Sequence, residues 1–171
     1  MILDVNTCKA FYQSYILPHF DYCSSVWGTC PQSLMVRLSK LQKTAARLIL
    51  NRKTMTPTGP LLEELHWMPI SERIKLRQLC LVFKALNENS PPYLQKMFVK
   101  NSERKNCRFL RSSNNNILYV ERFQTNYCQC SFRITGSKAW NMLPNNVRNS
   151  PSLDAFRSRY LKYYFSECSV V

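Results

Sequence analysis

The stretch that decides the fold is Ser33–Leu50, SLMVRLSKLQKTAARLIL. On a helical wheel of about 100° per residue, its main apolar positions share one arc of roughly 100°. Four cations lie on a second arc, centred roughly 140° away from the first. The pattern predicts a helix over 33–50 that packs one face on a protein core and turns a basic face to a negatively charged partner. The apolar positions are Leu34, Leu38, Leu41, Ala45, Leu48 and Ile49, and the cations are Arg37, Lys40, Lys43 and Arg47.

The charge balance of the whole chain agrees with such a partner. Among 171 residues, 24 Lys and Arg oppose 10 Asp and Glu, which gives a net charge of +14. A surplus of this size favours a polyanion, either nucleic acid or an anionic membrane surface. An acidic neighbour in a larger assembly is the alternative. We expect a polynucleotide.

Membrane and secreted classes fit the sequence poorly. No segment approaches the roughly 20 apolar residues that a membrane-spanning helix needs, and the amino-terminal region lacks a secretory signal. The eight cysteines therefore indicate reduced thiols in the nucleus or cytoplasm, since disulfide frameworks belong to secreted chains. We expect an intracellular protein that binds no membrane.

Helix-breaking residues and changes in composition divide the chain into four segments. Residues 1–53 form a helical segment that contains the basic helix, and the linker Asn51–Pro60 marks the first boundary. Residues 60–99 form a helical unit whose main helix runs from Glu72 to Asn87, with Ser71 as its N-cap. Residues 100–116 read as an exposed basic loop. Residues 117–165 form a small α+β unit, in which 117–120 and 131–135 predict a short hairpin. The fold class is mainly α.

The residues needed for catalysis are not found together. A polymerase holds two metal ions with paired carboxylates, but the acidic residues are scattered along the chain and no Tyr-x-Asp-Asp motif occurs. With three glycines there is no glycine-rich loop for phosphates. The sequence predicts a chain that is no enzyme by itself and needs no cofactor.

The cysteine spacing is unsuited to a metal centre. Cys107, Cys128 and Cys130, with His66 or Cys168 as a fourth ligand, are the candidates. The Cys-x-Cys pair is tighter than the spacing of two to four residues that zinc modules use. We expect no metal site.

The basic face of the predicted helix is the strongest functional candidate. Arg52 and Lys53 extend its row of four cations, and no acidic residue interrupts it. Phosphate binding requires long cationic side chains on a rigid face, whereas solvated faces usually mix both signs of charge. The three tryptophans offer a second mode, base stacking, but each is flanked by apolar residues, which favours packing.

Several short motifs carry a family resemblance that spans most of residues 11–165. The positions that carry it include Tyr15, Pro18, Asp21, Tyr22, Cys23, Trp27, Gly28, Trp67, Arg73, Trp140, Asn141, Leu143 and Pro144. In these motifs the chain resembles the region after the polymerase core of non-LTR retrotransposon reverse transcriptases, above all the jockey-like and chicken-repeat-like elements. The resemblance implies that 1–53 is a thumb-like helical segment, which contacts the template–primer duplex beside the active site.

Two functional interpretations follow. In the first, the chain is a non-catalytic piece of an RNA-directed DNA polymerase that binds the RNA or DNA backbone without sequence preference. The upstream polymerase core is then a second partner. In the other, it is a helical protein-interaction module or an inert retroelement relic, in which the apolar residues around 79–83 and the aromatic carboxyl-terminal helix pack on a partner.

Overall fold

The computed structural model describes residues 4–87, 89–103, 116–122 and 125–168, except the side chains of residues 126, 167 and 168. These residues are mainly helical and contain no β-strand, so the predicted fold class is confirmed. The chain divides into two compact units, Met1–Lys75 and Leu76–Val171. The division lies within a helix and not at the predicted linker Asn51–Pro60.

The first unit consists of short helices around one long helix. The α1 helix leads through a π-helical turn into α2, and α4 packs against α5. The division between the units lies within α6. The elements are α1 Val5–Phe11, the π-helical turn Tyr12–Ile16, α2 Leu17–Asp21, α3 Ser24–Trp27, α4 Gln32–Ile49, α5 Thr58–Glu64 and α6 Ile70–Leu86.

Pro18 explains the π-helical turn. Proline lacks an N–H, and its ring clashes with the carbonyl four residues earlier, so it disturbs a regular α-helix. Here the N–H of Leu17 donates to the carbonyl of Tyr12, five residues back. The wider turn lets the chain continue helically past the proline.

Two apolar clusters hold the first unit together. In one, Tyr12 stacks on Trp67 with ring centroids 4.2 Å apart, next to buried residues of α4 and α5. In the other, Met35 of α4 packs with Ile70 and Ile74 of α6, and Trp27 covers them. Burying such side chains contributes roughly 1.5–3 kcal/mol each. Because Ala46 belongs to the first cluster and Met35 to the second, the side of α4 that carries these two residues faces inward.

The basic helix is confirmed within one residue at each end, since α4 runs from Gln32 to Ile49. The predicted N-cap Ser71 is wrong, and the N-cap residue of α4 is a proline. Pro31 occupies the N-cap position of α4, so Ser33 lies inside the helix. Ser71 lies inside α6, whose first residue Ile70 donates its N–H to the side chain of Gln42.

The second unit surrounds an aromatic core. Phe83 of α6 lies 5.0 Å from Phe156 and 6.4 Å from Trp140, measured between ring centroids. Leu79 and Val82 are fully buried beside them. The additional elements are α7 Pro92–Gln95, a 3₁₀ turn Asn101–Glu103, α8 Asn126–Gln129, α9 Phe132–Asn141, α10 Asn145–Arg148 and α11 Leu153–Cys168.

The predicted hairpin over 117–120 and 131–135 is wrong. Residues 132–135 belong to α9, where Ile134, Ser137 and Trp140 share the buried face at helical spacing. Residues 117–120 are extended and make one isolated antiparallel bridge, between Lys100 and Leu118. The second β-prone run is therefore the first turn of a helix. The basic loop expected over 100–116 lies largely outside the described residues.

Candidate nucleic-acid interface

The α4 helix presents three cations that have no described ion-pair partner. Arg37 and Lys40 are exposed, and Lys43 is half-buried. The 18 residues of α4 include no Asp or Glu. We call Arg37, Lys40 and Lys43 the basic face. The helix therefore carries positive charge at the protein surface that pairs with no carboxylate in the described part of the chain.

The other three predicted contacts differ from one another. Arg47 is half-buried, and its Nε and Nη2 donate to the carbonyl of Thr56 at 3.3 and 3.1 Å. Arg52 lies 3.8 Å from Glu64, with both side chains about half exposed. Lys53 is exposed. Arg47 thus has a structural role, whereas Lys53 is an exposed cation that follows α4 and has no described ion-pair partner.

The predicted apolar face of α4 is partly wrong. Its inward side is lined by Met35, Gln42 and Ala46, whereas Leu41 and Leu48 are 59% and 76% exposed. Gln42 is 3% exposed because its amide bridges a turn. Its Nε2 donates to the carbonyl of Met68, and its Oε1 accepts from the N–H of Ile70, both at 2.9 Å. The three buried residues are therefore centred about 90° around α4 from the predicted apolar face.

The family-motif residues before α4 form a structural joint. Asp21 accepts two hydrogen bonds from Arg73, and Trp27 donates its indole N–H to the carbonyl of Tyr22 at 2.7 Å. Cys23 adopts a left-handed backbone with φ of 49°, which reverses the chain between α2 and α3. Gly28 ends α3. These positions orient the helices beside α4.

Tyr12 is a core residue that the sequence patterns did not indicate. It is 2% exposed, and its buried hydroxyl has no hydrogen-bond partner among the described residues. Burial raises the pKa of Tyr12, Arg73 opposes this rise, and Asp21 adds to it. The ring fills the core against Trp67, so its apolar packing outweighs its unpaired hydroxyl. No short motif of the sequence marks it.

Exposure argues against base stacking by two tryptophans. Trp67 and Trp140 are 8% and 2% exposed, and Trp27 is half-buried against α6. Tyr15 and Phe11 instead form an exposed stacked pair with centroids 4.9 Å apart. Packing is therefore the role of both buried indoles.

The Trp140-Asn141 pair holds an extended segment of the second unit. The indole of Trp140 donates to the carbonyl of Asn116 at 2.9 Å. The Asn141 amide accepts from the N–H of Leu118 and donates to its carbonyl, both at 2.8 Å. The Asn141 side chain thus makes the two hydrogen bonds to Leu118 that the backbone of a neighbouring strand would otherwise make. Leu143 is buried next to this pair, and Pro144 occupies the N-cap position of α10.

Neither a metal cluster nor a membrane helix occurs in the described part. No three His, Cys, Asp or Glu side chains there are grouped so that they could hold a metal ion. Cys128 and Cys130 are exposed, Cys107 lies outside the described residues, and so does the side chain of Cys168. None of the described helices is both long and apolar enough to cross a bilayer.

The chain was also compared with known proteins. A scan against protein-family models, a search of curated proteins and a search of solved structures each found no match.

Proposed function

We propose that the basic face binds the phosphate backbone of RNA or DNA without reading the base sequence. One observation carries the proposal. Arg37, Lys40 and Lys43 lie on one rigid helix with no acidic residue, and none is paired with a described carboxylate. Phosphate contacts require long cationic side chains at fixed positions and little else.

The spacing of the basic face suits a nucleic-acid strand. From Arg37 to Lys43 the helix rises about 9 Å, at about 1.5 Å per residue. Phosphates of one strand advance about 3.4 Å along the duplex axis. The three side chains therefore span about three successive phosphates, and Lys53 adds a further exposed cation beyond the helix.

A solvated helix face is the competing explanation for a row of cations. Such faces usually mix acidic and basic residues, which stabilise the helix through pairs three or four residues apart. The α4 helix has no such pair, because it lacks acidic residues. No acidic side chain of the helix offsets the repulsion among its cations. A bound polyanion would offset this repulsion.

The family resemblance gives the proposal its context. It suggests a non-catalytic fragment of a retrotransposon RNA-directed DNA polymerase, in which α4 belongs to the thumb that contacts the template–primer duplex. The burial of Trp67 and Trp140 also favours backbone contact over stacking of unpaired bases. We therefore propose a duplex, such as an RNA–DNA hybrid, as the ligand.

The proposal is tested with two charge-matched variants of the full chain. R37A/K40A/K43A removes the basic face, whereas K96A/R122A/K162A removes three exposed cations of the second unit. Fluorescence anisotropy with a labelled 20-base-pair RNA–DNA hybrid measures binding by each, and a hybrid of unrelated sequence repeats it. We expect the first variant to bind both hybrids at least tenfold more weakly and the second to lose much less. Equal losses in the two variants would remove α4 as the binding surface.

A further inference from the structure

The α4 helix carries a second exposed surface, separate from the basic face. Leu34, Leu41 and Leu48 are 43%, 59% and 76% exposed. They recur every seven residues, so each lies only about 20° around the helix from the one before. We call these three residues the leucine row. Along the helix axis it is about 21 Å long.

The leucine row is unusual for a solvated surface. A single exposed leucine needs no explanation, but an aligned row of three on one helix marks a contact surface. Leu38 and Ala45, on the core side of the row, are half-buried in the first unit. Arg37 and Lys40 lie on its other side. The row is therefore an apolar ridge with one edge formed by the protein and the other by cations.

Charge decides which partner suits this ridge. In an antiparallel pair of two copies, the cation edges of both α4 helices would face each other. Each chain also carries a net charge of +14, which repels a second copy at long range. An acidic edge on the partner would instead pair with Arg37 and Lys40. Pairs at the flanks of an apolar seam select the partner in coiled coils.

We propose that the leucine row docks an amphipathic helix of another protein, with an apolar stripe and an acidic edge toward Arg37. The length of the row corresponds to about two heptads of such a helix. This inference does not rest on the proposed nucleic-acid function. The basic face is centred about 100° around α4 from the leucine row, so the two surfaces are tested by different substitutions.

The test uses the full chain and three synthetic helical peptides of three heptads. The first has leucines on one stripe and glutamates on both edges, the second replaces glutamate with lysine, and the third replaces leucine with serine. Each is titrated below the concentration at which it self-associates. We expect the acidic leucine peptide to bind and the other two to bind at least tenfold more weakly.

A matched pair of protein variants locates the binding surface. L41S/L48S removes the leucine row, whereas V26S/M55S removes two apolar side chains of the same unit that are 75% and 94% exposed. L41S/L48S should weaken peptide binding at least tenfold and leave hybrid binding unchanged, and V26S/M55S should change neither. Circular dichroism serves as the folding control, since both variants should keep the helical content of the unchanged chain.

Three results would overturn the proposal. One is equal peptide affinity in L41S/L48S and V26S/M55S, and another is equal affinity for the acidic and basic peptides. The third is a different occupant of the leucine row. It would be seen as a dimer in sedimentation, or as binding to phosphatidylserine vesicles, that L41S/L48S abolishes. R37A/K40A/K43A should lose hybrid binding and also the preference for the acidic peptide over the basic one, whereas L41S/L48S should lose peptide binding and keep hybrid binding, so the two proposals can fail separately.

Discussion

Arg73 donates from Nε and Nη2 to the two carboxylate oxygens of Asp21, both at 2.7 Å, across 52 residues of sequence. The pair joins the end of α2 to the first turn of α6. The side chains of Asp21 and Arg73 are 14% and 33% exposed. A two-pronged contact between planar groups fixes direction as well as distance. It therefore fixes the first turn of α6 against the end of α2.

Asp21→Asn is expected to lower the free energy of unfolding by about 1–3 kcal/mol. Breaking a fully buried pair costs about 3–5 kcal/mol, and the partial exposure of Arg73 reduces this. Urea denaturation measures the change. The exposed pair Arg52–Glu64 gives the control, since Glu64→Gln should cost less than about 0.5 kcal/mol. Equal losses from the two substitutions would show that the Asp21 pair has no special structural role.

Tyr12→Phe is expected to stabilise the protein by about 1 kcal/mol. The hydroxyl is buried and finds no partner in the described part of the chain, and such a group costs about 1–3 kcal/mol. The ring still stacks on Trp67 in the variant. Thermal or urea unfolding at neutral pH measures the gain. A loss of stability would mean that the hydroxyl has a favourable interaction.

The same tyrosine predicts a loss of stability at alkaline pH. Its folded pKa is raised above 10.0, mainly by burial. The unfolded chain therefore releases this proton first, so the contribution to stability is complete below pH 10 and falls as the pH rises toward the folded pKa. Urea unfolding between pH 8 and 11 should show this fall, and Tyr12→Phe should reduce it. The same fall in both proteins would assign it to other groups.

Asn141→Asp is expected to destabilise the second unit by about 2–3 kcal/mol. A carboxylate cannot donate to the carbonyl of Leu118, which leaves a backbone group without its partner. Asn146→Asp is the matched control, because the Asn146 side chain is exposed and only its carbonyl is used, by Arg159. Urea unfolding should separate the two variants. Equal stability of Asn141→Asp and Asn146→Asp would contradict the role of the Asn141 amide in holding Leu118.

Arg148→Met is expected to stabilise the protein by about 1 kcal/mol. Arg148 is 8% exposed; its Nη2 donates to the side-chain oxygen of Asn145 at 2.6 Å, whereas its Nε and Nη1 have no hydrogen-bond partner among the described residues. Burial lowers its pKa. A buried charge that lacks full hydrogen bonding costs free energy, which an apolar side chain of similar length avoids. Arg159→Met, which removes bonds to the carbonyls of Asn146 and Asn149, should instead cost about 0.5–1 kcal/mol.

The sequence predicted the elements of the fold better than their orientation. The extent of α4, for example, followed from its periodicity. The inward side of α4 was misjudged because Gln42 is buried by a bond to residues 68 and 70, which periodicity cannot register. The leucines that the wheel assigned to the core are exposed for the same reason.

The candidate site shows the same limit. Arg37 and Lys40 were identified correctly as exposed cations, because the periodicity of the neighbouring residues in α4 places both on its polar side. Arg47 was not, because its partner Thr56 lies in a linker whose path no local pattern specifies. The roles of Asp21 and Asn141 likewise depend on partners 52 and 23 residues away. Long-range side-chain bonds therefore account for most of what the sequence left open.

The salt dependence of hybrid binding tests the central claim most directly. Affinity of the full chain and of R37A/K40A/K43A for the same RNA–DNA hybrid is measured between 50 and 200 mM salt. Three lost phosphate contacts should reduce the slope of log affinity against log salt by about 2.7, at about 0.9 per contact. A slope that is identical in the two proteins, or an affinity that does not change with salt, would contradict phosphate binding by α4.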